Sequence, residues 1–182
     1  MSYTHKLAEL QDYSLGNMHQ YFEMTLYTAL CFMLPIILSH PQIVVGIAVN
    51  AMLVLAALNL KGYKLLPVII APSLGALSGA LLFGPFTRFL LYLAPFIWIG
   101  NAILVFSFKL FSLRLKQNYW LTLAIGSALK SGFLFLAALS LYLLGIIPII
   151  FLTAMGVMQL ATALGGGAGA YAFQYAKIKL TA

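Results

Sequence analysis

Charge is what this sequence lacks, and negative charge above all. Only three Asp or Glu residues occur in 182, and all of them, Glu9, Asp12 and Glu23, lie near the start. Charged residues make up 7% of the chain, where a soluble domain carries about 25%. So little polar surface cannot coat a water-facing globule, and lipid is the solvent expected for most of the chain. The lack of carboxylates beyond Glu23 also argues against a proton-coupled transporter, which relays protons through intramembrane acids. A single cysteine, Cys31, excludes an internal disulfide. The three histidines, His5, His19 and His40, sit near one end of the chain, so neither a metal site nor a haem is expected, and no cofactor is implied. No GxxxxGK[ST], HExxH or GxSxG occurs, which removes a P-loop, a zincin site and a nucleophile elbow. The chain reads as a non-enzyme. Its first twenty or so residues also lack the basic, apolar and small-residue succession of a signal peptide.

Apolar sequence is what the chain has in quantity, at 63% of its residues. In hydrocarbon the backbone must satisfy its own hydrogen bonds, so only helices or closed barrels span a bilayer. A barrel would show alternation in segments of roughly ten residues. Continuous runs of roughly twenty appear instead, the length a helix needs. The fold class expected is an all-α integral membrane bundle of six transmembrane helices with both termini cytoplasmic. Residues 1–22 form a short cytoplasmic or interfacial segment, and 23–182 the transmembrane domain. The spans are expected near 22–38, 43–60, 65–83, 89–111, 119–144 and 149–176. Ser39-His40-Pro41-Gln42, Lys61 to Lys64, Gly84-Pro85 and Gly145 to Pro148 read as turns between them.

The excess of Lys and Arg, ten against three acids, would suggest nucleic acid in a soluble protein. In a membrane chain the positive-inside rule explains it better, and no nucleic-acid partner is expected. With the N-terminus inside, Lys6, Lys61, Lys64, Lys109, Arg114, Lys116, Lys177 and Lys179 fall on the cytoplasmic side, and Arg88 alone falls outside. An odd number of spans would leave one basic terminus outside.

Polar residues within the spans are the candidate functional groups. Asn50, Asn101, Lys130 and Gln159 come from four different helices. At about 1.5 Å per residue they share a similar depth band, with Asn50 somewhat nearer the outer face. Such groups face a bundle interior. They either line a solute pocket or hydrogen-bond helix to helix as glue. Lys130 is the strongest pointer, because no carboxylate follows Glu23 to neutralise it. Gly75–Gly79 and Gly165–Gly169 have GxxxG spacing and are expected to let helices approach closely. Thr25 and Ala29, four apart, form a weaker small-residue face. Val49 to Val54 and Gly100 to Val105 are faintly similar, which a common helix composition explains as well as duplication does.

A family resemblance rests on an ordered set of segments. These are His40-Pro41-Gln42, Gly46 to Leu58, Pro72-Ser73-Leu74, Ala94-Pro95-Phe96, Gly100 to Val105, Ala128-Leu129-Lys130 and Gln159 to Gly166. From Pro35 onward the chain resembles the substrate-binding S component of energy-coupling factor (ECF) transporters. The resemblance implies a pocket for a vitamin or similar small nutrient in a prokaryotic cytoplasmic membrane, with Thr162 of the last segment joining Asn50, Asn101, Lys130 and Gln159. It also implies partners: a transmembrane T component and two ATPase subunits, docked through small residues of the first helix, here Thr25 and Ala29. The competing reading is a structural or assembly membrane protein with no small-molecule ligand.

Overall fold

In the computed structural model, residues 3–12, 16–38, 41–79 and 86–181 are described, and every regular element among them is helical. Two short N-terminal turns form α1 (Tyr3–Ala8). The long helices are α2 (Asn17–Ile37), α3 (Gln42–Asn59), α4 (Leu65–Gly79), α5 (Thr87–Ser107) and α6 (Tyr119–Leu143). Then come the short α7 (Ile150–Met155) and the long α8 (Val157–Thr181). Among the described residues, four stretches are long and apolar enough to cross a membrane: Gln42–Asn59, Thr87–Arg114, Tyr119–Leu143 and Ile150–Ala176. That is the make-up of a membrane-embedded protein. The other two expected spans differ in a definable way. α2 starts at Asn17, ahead of the apolar run, and so takes in His19 and Gln20. The described part of α4 is 15 residues. The expected Gly84-Pro85 terminator, and Ser39-His40 of the preceding turn, lie outside the described residues.

α3 is the centre of the bundle and contacts α2, α4, α5 and α8. Every residue from Leu53 to Asn59 is buried, the all-round burial of a helix enclosed by others. The peripheral helices instead present large apolar side chains outward, such as Leu91, Leu136 and Phe173. Glycine sets the closest approaches. A Cβ on Gly75 would stand 2.1 Å from the Phe32 carbonyl oxygen, and one on Gly79 3.2 Å from Ile36 Cα, so α4 lies backbone-to-backbone on α2. The second GxxxG works differently. Gly169 faces open space, and Gly166 makes the contact, its Cβ position 2.6 Å from both Asn50 Cβ and the Ile47 carbonyl oxygen.

Three further local features depart from the sequence expectation. Gln42 opens α3 with Pro41 as its N-cap, so it belongs to the helix and not to the turn. The last expected span is broken at Gly156, whose ψ of −98 interrupts the helix between α7 and α8. The end of α5 continues as a π-helical segment, Phe108–Arg114. This widened turn directs Lys109 inward, where it is fully buried and donates to the carbonyls of Leu10 and, at 2.6 Å, Leu60. Lys64 is buried too and donates to Gln20 Oε1 at 3.0 Å. These two lysines therefore tie segments together and are not solvated flank charges. The N-terminal segment is held against this same end of the bundle, with the Asp12 N–H on the Leu58 carbonyl and Gln11 Nε2 on the Asn59 carbonyl.

Candidate solute-binding cavity

Three polar residues from three helices meet in the interior. Lys130 of α6 donates through Nζ to Asn50 Oδ1 of α3 at 2.6 Å and to Asn101 Oδ1 of α5 at 2.9 Å. Each of the three is 2% exposed, so each of these bonds is worth more than a surface contact, and losing a partner would be costly.

Both amides are fixed with their oxygens toward the lysine, because their Nδ2 groups are committed elsewhere. Asn50 Nδ2 donates to the Gly46 carbonyl one turn back at 2.9 Å and to Thr162 Oγ1 of α8 at 3.2 Å. Asn101 Nδ2 donates to the Ile69 carbonyl of α4 at 2.9 Å. Pro72 explains why polar backbone is accessible there: it has no N–H for the Val68 carbonyl and disturbs the ladder beside Ile69. Gly46 explains how Thr162 fits, since a Cβ at Gly46 would lie 2.7 Å from Thr162 Cγ2.

Beside this network lies a cavity of about 100 Å³. Asn50, Asn101 and Lys130 form its polar wall, together with Gln42, Ser73 and Gln159. Apolar side chains including Val45, Leu90, Ile97 and Met155 line the rest. Gln42 and Gln159 are half-buried, and neither side chain has a hydrogen-bond partner among the described residues. Ser73 accepts from Trp98 Nε1 at 2.5 Å and donates to the Ile70 carbonyl at 3.0 Å, which brings an indole to the cavity's edge.

Of the residues singled out from the sequence, Asn50, Asn101, Lys130 and Thr162 therefore form one hydrogen-bonded cluster, and Gln159 lines the adjoining cavity without joining the bonds. Thr162 does not line the cavity but acts from behind, through Asn50. Sequence reasoning missed Gln42, Ser73 and Trp98. Gln42 follows His40-Pro41 and reads as part of a turn, and a serine or tryptophan in an apolar helix has no periodicity to mark it.

Thr25 and Ala29 lie elsewhere. Both are exposed on α2, and both line an outward groove of about 600 Å³ between α2 and α4, walled by apolar residues such as Phe32, Leu66, Ile70 and Leu74. No cluster of three or more His, Cys, Asp or Glu residues able to hold a metal occurs among the described residues.

No family model matches the chain, and neither the curated proteins nor the solved structures contain a significant match.

Proposed function

We propose that this chain is the solute-binding membrane subunit, the S component, of an ECF-type ATP-driven importer for a vitamin or similar small nutrient in a prokaryotic cytoplasmic membrane. The observation that carries the reading is a buried lysine held between two asparagines at the wall of a cavity. Helix glue needs hydrogen bonds but no adjoining space. Here two amide side chains, Gln42 and Gln159, border that space with no hydrogen-bond partner among the described residues. Six spans with cytoplasmic termini suit the charge distribution. Arg114, Lys116 and Lys61, on the proposed inner side, still outnumber Arg88 after the buried Lys64 and Lys109 are set aside.

The chain has no phosphate-cradling loop, so the energy for uptake comes from partners. The exposed small-residue face of Thr25 and Ala29, beside an apolar groove, suits docking of the T component that carries the two ATPases.

The competing reading, a structural or assembly protein, has one observation in its favour: Lys130 already bonds Asn50 and Asn101, and Asn50 bonds Thr162, so four helices are joined without a ligand. Purification in mild detergent followed by mass spectrometry of the denatured extract separates the two. A stoichiometric small molecule that is released on denaturation is expected. Its consistent absence, with no thermal stabilisation by any nutrient pool, would favour the structural reading.

A further inference from the structure

The chemistry of the cavity narrows the class of solute, and this inference rests on the cavity being a binding site. Lys130, as an ammonium, has no countercharge among its hydrogen-bond partners. Its two partners are neutral amide oxygens, and the chain's three acids are Glu9, Asp12 and Glu23. Glu23 is the one on a long helix, and its position can be fixed. Its Oε2 accepts from Tyr27 Oη at 3.1 Å, and that hydroxyl accepts from Asn59 Nδ2 at 3.1 Å. Asn59 is the last residue of α3, and Asn50 lies nine positions earlier, which is roughly 13 Å along the axis. Glu9 and Asp12 are held against that same far end, Asp12 by the Leu58 carbonyl and Glu9 beside Gly62. None of these three acidic side chains reaches the lysine.

An ammonium has three donors. Two are used by Asn50 and Asn101, and no other residue among those described accepts from the third, on a side chain that lines the cavity. A bound anion would supply both the missing countercharge and the missing acceptor. One cation answers one negative charge, and the remaining wall offers Gln42, Gln159 and Ser73 among apolar side chains. A cavity of about 100 Å³ suits a compact solute.

We infer that the cavity takes a small organic monoanion, a carboxylate with a largely apolar body, whose carboxylate pairs with Lys130 while its body lies against Val45, Leu90, Ile97 and Met155. The same charge pattern excludes cationic solutes.

The test uses isosteric probes on the full chain in nanodiscs. Benzoate, benzamide and benzylamine share size and shape and differ in charge. Trp98, bonded to Ser73 at the cavity edge, reports binding by fluorescence in a Trp120→Phe background, Trp120 being an exposed residue near the start of α6. Benzoate is expected to bind saturably, benzamide at least about tenfold more weakly, and benzylamine not at all. Lys130→Met should erase the preference for benzoate over benzamide. Asn101→Asp, which supplies an internal carboxylate beside Lys130, should do the same and covers the case in which the first variant fails to fold. Binding of benzamide or benzylamine as tight as benzoate would overturn the anion class while leaving the cavity a binding site. Absence of saturable binding by all three probes would overturn the class and the binding-site reading together.

Discussion

Gly166 of α8 sits so close to Asn50 of α3 that a Cβ added to the glycine would stand 2.6 Å from Asn50 Cβ. The same added atom would also lie 2.6 Å from the Ile47 carbonyl oxygen and 2.7 Å from the Ala51 nitrogen. The helix contact that aims Asn50 at Lys130 therefore depends on one missing side chain, and backbone atoms cannot move aside as a flexible side chain can. Gly166→Ala is expected to lower stability by about 1–3 kcal/mol, in the range of core overpacking, and to weaken solute binding with it. Gly169→Ala meets nothing within 4 Å and is expected to be neutral or slightly stabilising through helix propensity. Thermal unfolding of the two variants in the same detergent checks the difference. Equal melting temperatures would show that α8 is not packed on α3 in this register.

Much of the cavity wall was legible because polar side chains stand out against apolar sequence. Asn50, Asn101 and Lys130 are conspicuous within hydrophobic runs, and helix rise alone gave them similar depths. Which glycine carries the α3–α8 contact was not legible. Gly165 to Gly167 and Gly169 all fit a small-residue face, and only the rotation of α8 selects Gly166. Lys109 was misread for a related reason. A cation close to Arg114 and Lys116 resembles the flank of a span, and composition does not announce the π-helical turn that swings it inward. The break at Gly156 was hidden because apolar residues continue on both sides.

Topology can be tested on a Cys31→Ala parent, since Cys31 is fully buried. Residue 62 is a poor reporter site, because Gly62 has φ +60 and an added Cβ would lie 2.8 Å from Glu9 Oε1. Gln117→Cys and Leu144→Cys replace exposed residues on opposite sides of α6. In intact cells an impermeant maleimide should label position 144 and spare 117 until the membrane is permeabilised. Labelling of 117 from outside would overturn the proposed six-span orientation.

The proposed docking face is tested by size. Ala29 is exposed beside the apolar groove between α2 and α4, α2 meets the cavity at Pro35, six residues further on, and no bond of the Lys130 cluster among the described residues involves α2. Ala29→Trp should therefore reduce recovery of the T component and the ATPases in a pull-down by about tenfold or more, while the variant binds solute as the parent does. The isolated chain should hydrolyse no ATP, and proteoliposomes holding it alone should not concentrate solute. Unchanged recovery of the partners would move the docking surface off this face.

The two most deeply buried lysines should separate cleanly on substitution. Lys109 donates to two backbone carbonyls, those of Leu10 and Leu60, and thereby ties the N-terminal segment and the end of α3 to the tail of α5. Lys109→Met leaves both carbonyls without that donor in a buried setting, which costs about 1–3 kcal/mol per unsatisfied group. It should lower the melting temperature and speed proteolysis between α1 and α2, yet leave solute affinity within a factor of about two. Lys130 bonds amide side chains at a cavity wall instead. Lys130→Met should keep a folded protein, because its methylene stem is retained, and lose about 1.5–3 kcal/mol of solute binding, roughly ten- to a hundredfold in affinity. Measuring both quantities for both variants distinguishes a lysine that holds the fold from one that faces a ligand. Were Lys130→Met to lower stability as Lys109→Met does and leave affinity for the co-purified solute unchanged, Lys130 would be interhelical glue and the solute would bind elsewhere.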